Sequence, residues 1–173
     1  MPAGSSTIQV VVADANILIN LIHVEQLSLL GRLPGYEFVV PEQVVAEVND
    51  PAQSLALQTA LDTRVLRLER LIDIDGLVIF SELMGTMGRG EAACLALAQT
   101  RRWLLASDEK RALRREALAR LGRGRLLNTP GILLLGIKAG VLGVEAADEA
   151  KRVLEGHRFK MAFSSFADLL GRE

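Results

Sequence analysis

Four acidic residues stand where chemistry on a phosphate would need them. Asp14 interrupts the apolar stretch "IQVVVADANILINLI", and Asp108 directly follows a second one, "WLLAS". Glu91 follows the glycine-flanked arginine of "GRGE". Glu47 closes "PEQVVAE", about one and a half helical turns beyond Pro41. A carboxylate set between stretches that both favour burial is costly unless its charge is offset. Clustered carboxylates repel one another, and some resist ionising unless a cation joins them. An oxygen-only donor set suits a hard divalent ion, magnesium or manganese. A site of that kind can activate water and steady a phosphate's charge during in-line attack. Asn16 stands where it could orient Asp14, and Ser107 stands beside Asp108. Lys110 and Arg114, spaced i and i+4, either offer cations to a phosphate or lay their stems over the core. Each acid also has a plainer role. Asp14 and Asp108 suit helix N-caps, Glu91 complements a helix N-terminus, and Glu47 suits a solvated helix face.

The elements decide whether these residues meet. Residues 8–13 read as a strand buried on both faces of a parallel sheet. A helix is expected over 16–30. "YEFVVP" reads as the next strand, and Pro41 opens the helix "EQVVAEV". A helix over about 52–61, a short strand in "RVLRLERL" and the helix "GLVIFSELMGTM" follow. The helix "EAACLALAQT" precedes the strand "RWLLAS", the helix "DEKRALRREALARLG" and the strand "RLLN". "TPGILLLGIKAG", "VEAADEAKRVLE" and "FADLLG" close the chain as helices. Alternating strands and helices predict an α/β fold. It is a three-layer α/β/α sandwich around a central, mostly parallel sheet of four to five strands. Ligands of such sheets bind beyond the carboxyl ends of the strands. That is where Asp14 and Asp108 fall, and Glu47 and Glu91 map to the same edge.

The chain has 173 residues, half of them hydrophobic. It reads as one domain over 8–173, including the C-terminal helices, after a loose 1–7. Its single cysteine, Cys94, excludes an internal disulfide and reads as a small buried hydrophobe. Two histidines, His23 and His157, do not make a histidine zinc site and are expected at helix surfaces or ends. Neither a secretory signal nor a membrane span is visible, so a cytoplasmic protein off the membrane is expected. Net charge is −1 but uneven. Residues 1–100 carry 12 acidic and 5 basic side chains, whereas residues 101–173 carry 9 acidic and 15 basic. Nine of those basic residues lie within Arg101–Arg125. That stripe is either a nucleic-acid footprint or a solvated face. Phe159, Met161, Phe163 and Phe166 are many large apolar groups for a chain end. They either line a homodimer interface or fold back on their own domain.

"VVADANILINLIHVEQLSLL", "VVPEQVVAEV", "GRGEAACLALA", "LLASDEKRA" and "NTPGILLLGIKAGVL" run in this order between Ile8 and Leu142. Together they resemble the PIN-domain family, in the group related to VapC toxins. The tail "EAADEAKRVLEGHRFKMAFSSFADLLG" resembles the closing helices of a predicted nucleic-acid-binding subgroup. The resemblance implies a magnesium- or manganese-dependent endoribonuclease acting on RNA phosphodiester bonds, with 5′-phosphate and 3′-hydroxyl products. It also implies a toxin–antitoxin pair with a small antitoxin protein, and a homodimer. Its catalytic acids map onto Asp14, Glu47, Glu91 and Asp108, with Asp14, Glu91 and Asp108 as metal ligands. Asn16 matches a polar position supporting the first aspartate. Two positions depart from the pattern: Glu91 stands where many members carry aspartate, and Lys110 where many carry a further acid. A noncatalytic PIN-like module binding RNA or a protein is the alternative. A phosphoacceptor fold fits poorly, because a second acid is expected where Asn16 stands.

Overall fold

Val11, Val12 and Ala13 are fully excluded from solvent on β1 (Gln9–Ala13). Such a run of branched apolar residues suits a strand covered on both faces. In this computed structural model, which describes residues 7–171, β1 is the central strand; six of the seven residues expected to be loose lie outside the described residues. β1 pairs in parallel with β2 (Tyr36–Pro41), Val11 opposite Phe38, and with β4 (Leu104–Ala106), Val12 opposite Leu105. β3 (Arg67–Glu69) extends the β2 side and β5 (Leu126–Leu127) the β4 side. The five-stranded sheet is therefore all parallel, in the order β3-β2-β1-β4-β5.

Helices make the crossovers that parallel pairing requires. They are α1 (Ala15–His23), α2 (Glu42–Glu47), α3 (Pro51–Asp62), α4 (Ile74–Leu83), α5 (Arg89–Arg101), α6 (Ala112–Leu121), α7 (Thr129–Lys138), α8 (Val144–Gly156) and α9 (Ala167–Leu170). α5 packs on β1, β2 and β4 with α4 and α6 beside it, while α1 gathers α3, α7 and α8. Ala92 through Ala98 are all buried, so α5 is enclosed on every side. Its small side chains let the helix lie close to the sheet.

The helix expected over 16–30 is divided. α1 stops at His23, Glu25 takes a left-handed conformation (φ 55), and Leu27–Gly31 form a tighter 3-10 turn. This break turns Leu27, Leu29 and Leu30 into the core. The helix expected from Asp108 begins only at Ala112. Side-chain acceptors take the N–H groups that a first turn would leave open. Asn16 Oδ1 accepts from Asp108 N (3.1 Å), Ser107 Oγ from Glu109 N (3.1 Å), and the Glu109 carboxylate from Arg111 N. Lys110 and Arg111 therefore stand on a loop at the sheet edge, and Lys110 does not share a helix with Arg114 as its i, i+4 spacing suggested.

The C-terminal tail folds back on its own domain. Asp148 accepts from Ser165 Oγ (2.7 Å) and Phe166 N (2.8 Å), and Phe166 is fully buried. Phe163 meets it edge-on at 4.9 Å. Phe166 is part of this core, and Met161 and Phe163 pack against it half-buried. The basic stripe also divides. Arg101 pairs with Glu69 (3.2 Å) and lies over Trp103 at 5.3 Å; Arg120 pairs with Glu116 (3.2 Å); Arg125 donates to the Trp103 carbonyl (3.1 Å). Lys110, Arg111, Arg114 and Arg123 instead line grooves beside the strand ends. Among the described residues, no helix is long and apolar enough to cross a membrane.

Candidate acidic site at the strand ends

β1 ends by delivering Asp14, whose N–H still belongs to the sheet, donating to Ala106 O at 3.0 Å. The side chain is 3% exposed. One oxygen caps α1 by accepting from Ala15 N (2.8 Å), and the other accepts from Ser107 Oγ (3.2 Å). Asp14 is thus an N-cap, as its plainer role required, with its second oxygen turned to β4. Burial pushes its carboxyl up from 3.8 to about 6, although the Ala15 and Ser107 bonds pull the other way. The charges of Glu91 and Glu47 push it further upward. The three acids therefore share one electrostatic field.

Glu47 and Glu91 meet at the start of α5. Glu47 Oε1 accepts from Gly90 N (2.8 Å). A Cβ at position 90 would lie 2.9 Å from the Glu47 carboxyl carbon, so only glycine leaves room for that carboxylate. Glu91 reaches back to accept from Gly88 N (3.3 Å), satisfying one N–H at the start of α5. Both acids face the positive end of the helix dipole, which partly offsets their charge. The Glu91 carboxyl is still raised, by burial first and then by the charges of Glu109 and Glu47.

Asp108 is committed elsewhere. Its Oδ1 accepts from Thr129 N (2.8 Å), and its Oδ2 accepts from the Thr129 hydroxyl and from Asn20 Nδ2 (2.8 Å). It ties the first residue of α7 to α1 across the end of β4. Asn16 bridges the same region, holding Asp108 N with its oxygen and reaching Ser107 Oγ (3.4 Å) with its amide. Ser107 is the hub between the two aspartates. Sequence reasoning missed Glu109, Asn20 and Thr129. Glu109 adjoins Asp108 in "ASDEK", and residue type alone does not say which of two adjacent acids faces Glu91. Asn20 had a legible signal: a second amide four residues after Asn16, on the same face of an apolar helix.

The donors are oxygens throughout, and a hard divalent cation would relieve the shared negative charge. Cys94 takes no part: it is fully buried behind Asp14, its thiol is pushed up by burial, and its sulfur lies 3.7 Å from Ala13 O. As the side chains stand, no three acidic, histidine or cysteine groups among the described residues ring a single point. Glu47 is exposed, and a single backbone N–H bond fixes its carboxylate. The set thus fits such an ion in kind and charge, and Glu47 and Glu91 would have to turn to close on it. Two grooves leave the site past Glu109. One, of about 600 Å³, runs by Ser107, Arg114, Arg123 and Asn128; the other, of about 430 Å³, runs by Asn16, Asn20, Asp108 and Lys110.

Among solved structures, the chain is similar to VapBC2 from Rickettsia felis bound to a DNA fragment from their promoter. Identity is 14%, covering 69% of this chain and 98% of that one, with a TM-score of 0.47. No curated protein matches the sequence. The family model described as a PIN domain matches residues 10–168. With nearly its whole length matched, all five strands and the acidic strand ends included, the chain belongs to the PIN-domain family.

Proposed function

We propose that the protein is a magnesium- or manganese-dependent endoribonuclease that hydrolyses phosphodiester bonds of RNA. The observation that carries this is Asp14: a buried carboxylate at the central strand end, pushed up to about 6, with the charges of Glu91 and Glu47 on it. Asp14 and Glu91 are the residues that would hold the cation. A divalent ion bound there supplies Lewis-acid stabilisation of the charge that develops on a phosphate. Glu47, exposed at the mouth of α5 and held by one backbone N–H bond, is the residue placed to accept the proton of attacking water. Ser107 and Asn16 hold Asp14 and Asp108 in register. A carboxylate offers about four lone-pair sites, and Asp108 has three donors already, so its main part is to position α1 and α7. Lys110 and Arg114 provide phosphate contacts on either side. Pairing with a small antitoxin protein and homodimerisation rest on the sequence resemblance. Co-purification with the product of an adjacent small reading frame tests the first of these.

The test is cleavage of a mixed RNA pool with manganese, with magnesium and in chelator. Cleavage with either ion, abolished in chelator and reduced at least a hundredfold by Asp14→Asn and Glu91→Gln, is expected; undiminished cleavage in the variants or in chelator overturns it. A noncatalytic RNA-binding module is the second reading. It is favoured by the open arrangement in which no three carboxylates among the described residues ring one point. Binding of RNA without cleavage under any divalent ion would establish it.

A further inference from the structure

The second groove is lined by Arg158, Phe159 and Lys160 of the C-terminal tail together with Lys110 and Arg111, and by the acids Asp108 and Glu109. None of these four cationic side chains is paired with a protein carboxylate among the described residues, in contrast to Arg67, Arg101, Arg120 and Arg152. Phe159 differs from the other large apolar side chains between Phe159 and Phe166. Met161, Phe163 and Phe166 join the core, and Phe159 does not. The segment is also fixed in place. At one end the His157 ring stacks on His23 of α1, centroids 3.9 Å apart and planes 14° apart. Arg158 N and Phe159 N donate back to Glu155 O (3.1 Å) and Leu154 O (2.9 Å). At the other end Asp148 holds Ser165 and Phe166. Cations lining one groove with a half-buried aromatic ring among them offer charge for a backbone and a face for a base, as single-stranded nucleic acid requires. A segment held in advance loses little entropy when it binds.

We propose that the strap His157–Lys160, together with Lys110 and Arg111, forms a channel wall that grips single-stranded RNA. It takes two backbone phosphates and one stacked base beyond the acidic site. This rests on the endoribonuclease reading and adds how the strand leaves that site. The acids repel a polyanion, so a strand crossing them needs neutralisation at once on the exit side. Unpaired cations stand there, directly after Asp108. The strap lines a different groove from Arg114 and Arg123, so it acts independently of them.

Binding in chelator, where cleavage is off, separates the two ideas. The probe is a fluorescent single-stranded RNA of roughly a dozen nucleotides, titrated over a range of salt. Arg158→Gly suits the fold, because Arg158 sits at φ 65, a conformation glycine adopts freely. Combined with Lys160→Gln, it should lower the salt slope of log affinity by about 1.4, two single-strand phosphate contacts. Phe159→Ala should weaken binding about tenfold with the slope unchanged. Arg152→Gln, whose side chain pairs with Glu149 on α8, is the control and should change neither. Thermal melts confirm that each variant is folded. Unchanged affinity and slope in the strap variants, while the parent binds and cleaves RNA, overturn the strap alone. A parent that neither binds nor cleaves RNA overturns the nuclease reading, and the strap with it. Loss of slope without any effect of Phe159→Ala replaces the stacked base with a purely electrostatic wall and overturns the proposal in that part.

Discussion

The Glu47 carboxylate occupies the space that a side chain on Gly90 would need, and it accepts that residue's N–H at 2.8 Å. The glycine at the start of α5 is therefore a site requirement rather than a helix preference. Alanine at this place in a helix is intrinsically better by about 1 kcal/mol. Gly90→Ala should therefore melt at or near the parent's temperature while displacing Glu47. RNA cleavage should fall at least tenfold. Parent-level turnover in a folded Gly90→Ala variant would remove Glu47 from the reaction.

Asp14 gives stability a definite pH dependence. Its folded value, about 6, lies above the unfolded 3.8, so the folded state holds the proton more tightly. The associated stability is complete below the unfolded value and lost as pH rises through the folded one. In the apo parent, up to about 3 kcal/mol should disappear across that window, from 1.36 kcal/mol per pKa unit. Asp14→Asn retains a capping side chain and has no proton to lose. Urea unfolding of both proteins in chelator should show the variant gaining on the parent as pH rises from 4 to 6. Parallel curves would mean that the Asp14 carboxyl is not raised.

A divalent ion should reverse this. Manganese that binds only the folded protein stabilises it by about 2.7 kcal/mol at a hundredfold excess over its dissociation constant. The parent's Tm should rise with manganese, and most of that rise should vanish in Asp14→Asn and Glu91→Gln. No shift in the parent at millimolar manganese would leave the site without a resident ion in the free protein.

Asp108 should behave differently from Asp14. Its oxygens hold Thr129 and Asn20, so Asp108→Ala strands their N–H and O–H groups. A loss of about 1–3 kcal/mol is expected, with or without manganese. Thr129→Val removes one of the three bonds and should cost a fraction of that. Urea titrations of the two variants at one pH check the order. Full stability in Asp108→Ala would mean that the α1–α7 tie is dispensable.

The sheet and most helices were legible because hydrophobic period is a local property. The run before Asp14 reads as a covered strand, and "EAACLALAQT" reads as a helix with Cys94 buried in it. What escaped was decided at long range. Residues 108–111 have the composition of a helix start, yet Asn16 and Ser107 compete for their N–H groups. The direction of Asp108 depends on Thr129, and the fold-back of the tail depends on Asp148. The basic stripe looked uniform until Glu69 and Glu116 claimed Arg101 and Arg120. The acids at Asp14, Glu47 and Glu91 were placed at one edge by topology, which the alternation of elements does reveal. The orientation of each carboxylate was not legible, because it depends on donors from other elements.

Short outer strands also govern how the protein behaves at high concentration. A sheet edge with unpaired N–H and C=O groups invites another chain to add a strand, and long apolar edges do so most readily. Here the outermost strands are β3, of three residues, and β5, of two. β3 also carries Arg67, which pairs both with Glu69 of its own strand and with Glu37 of the neighbouring one. The branched apolar residues that would aggregate most readily are confined to β1 and β2, flanked by paired strands on both sides. A chain that is half hydrophobic thus resists amyloid-like stacking while folded, and the hazard is limited to the interval before β1 finds its neighbours.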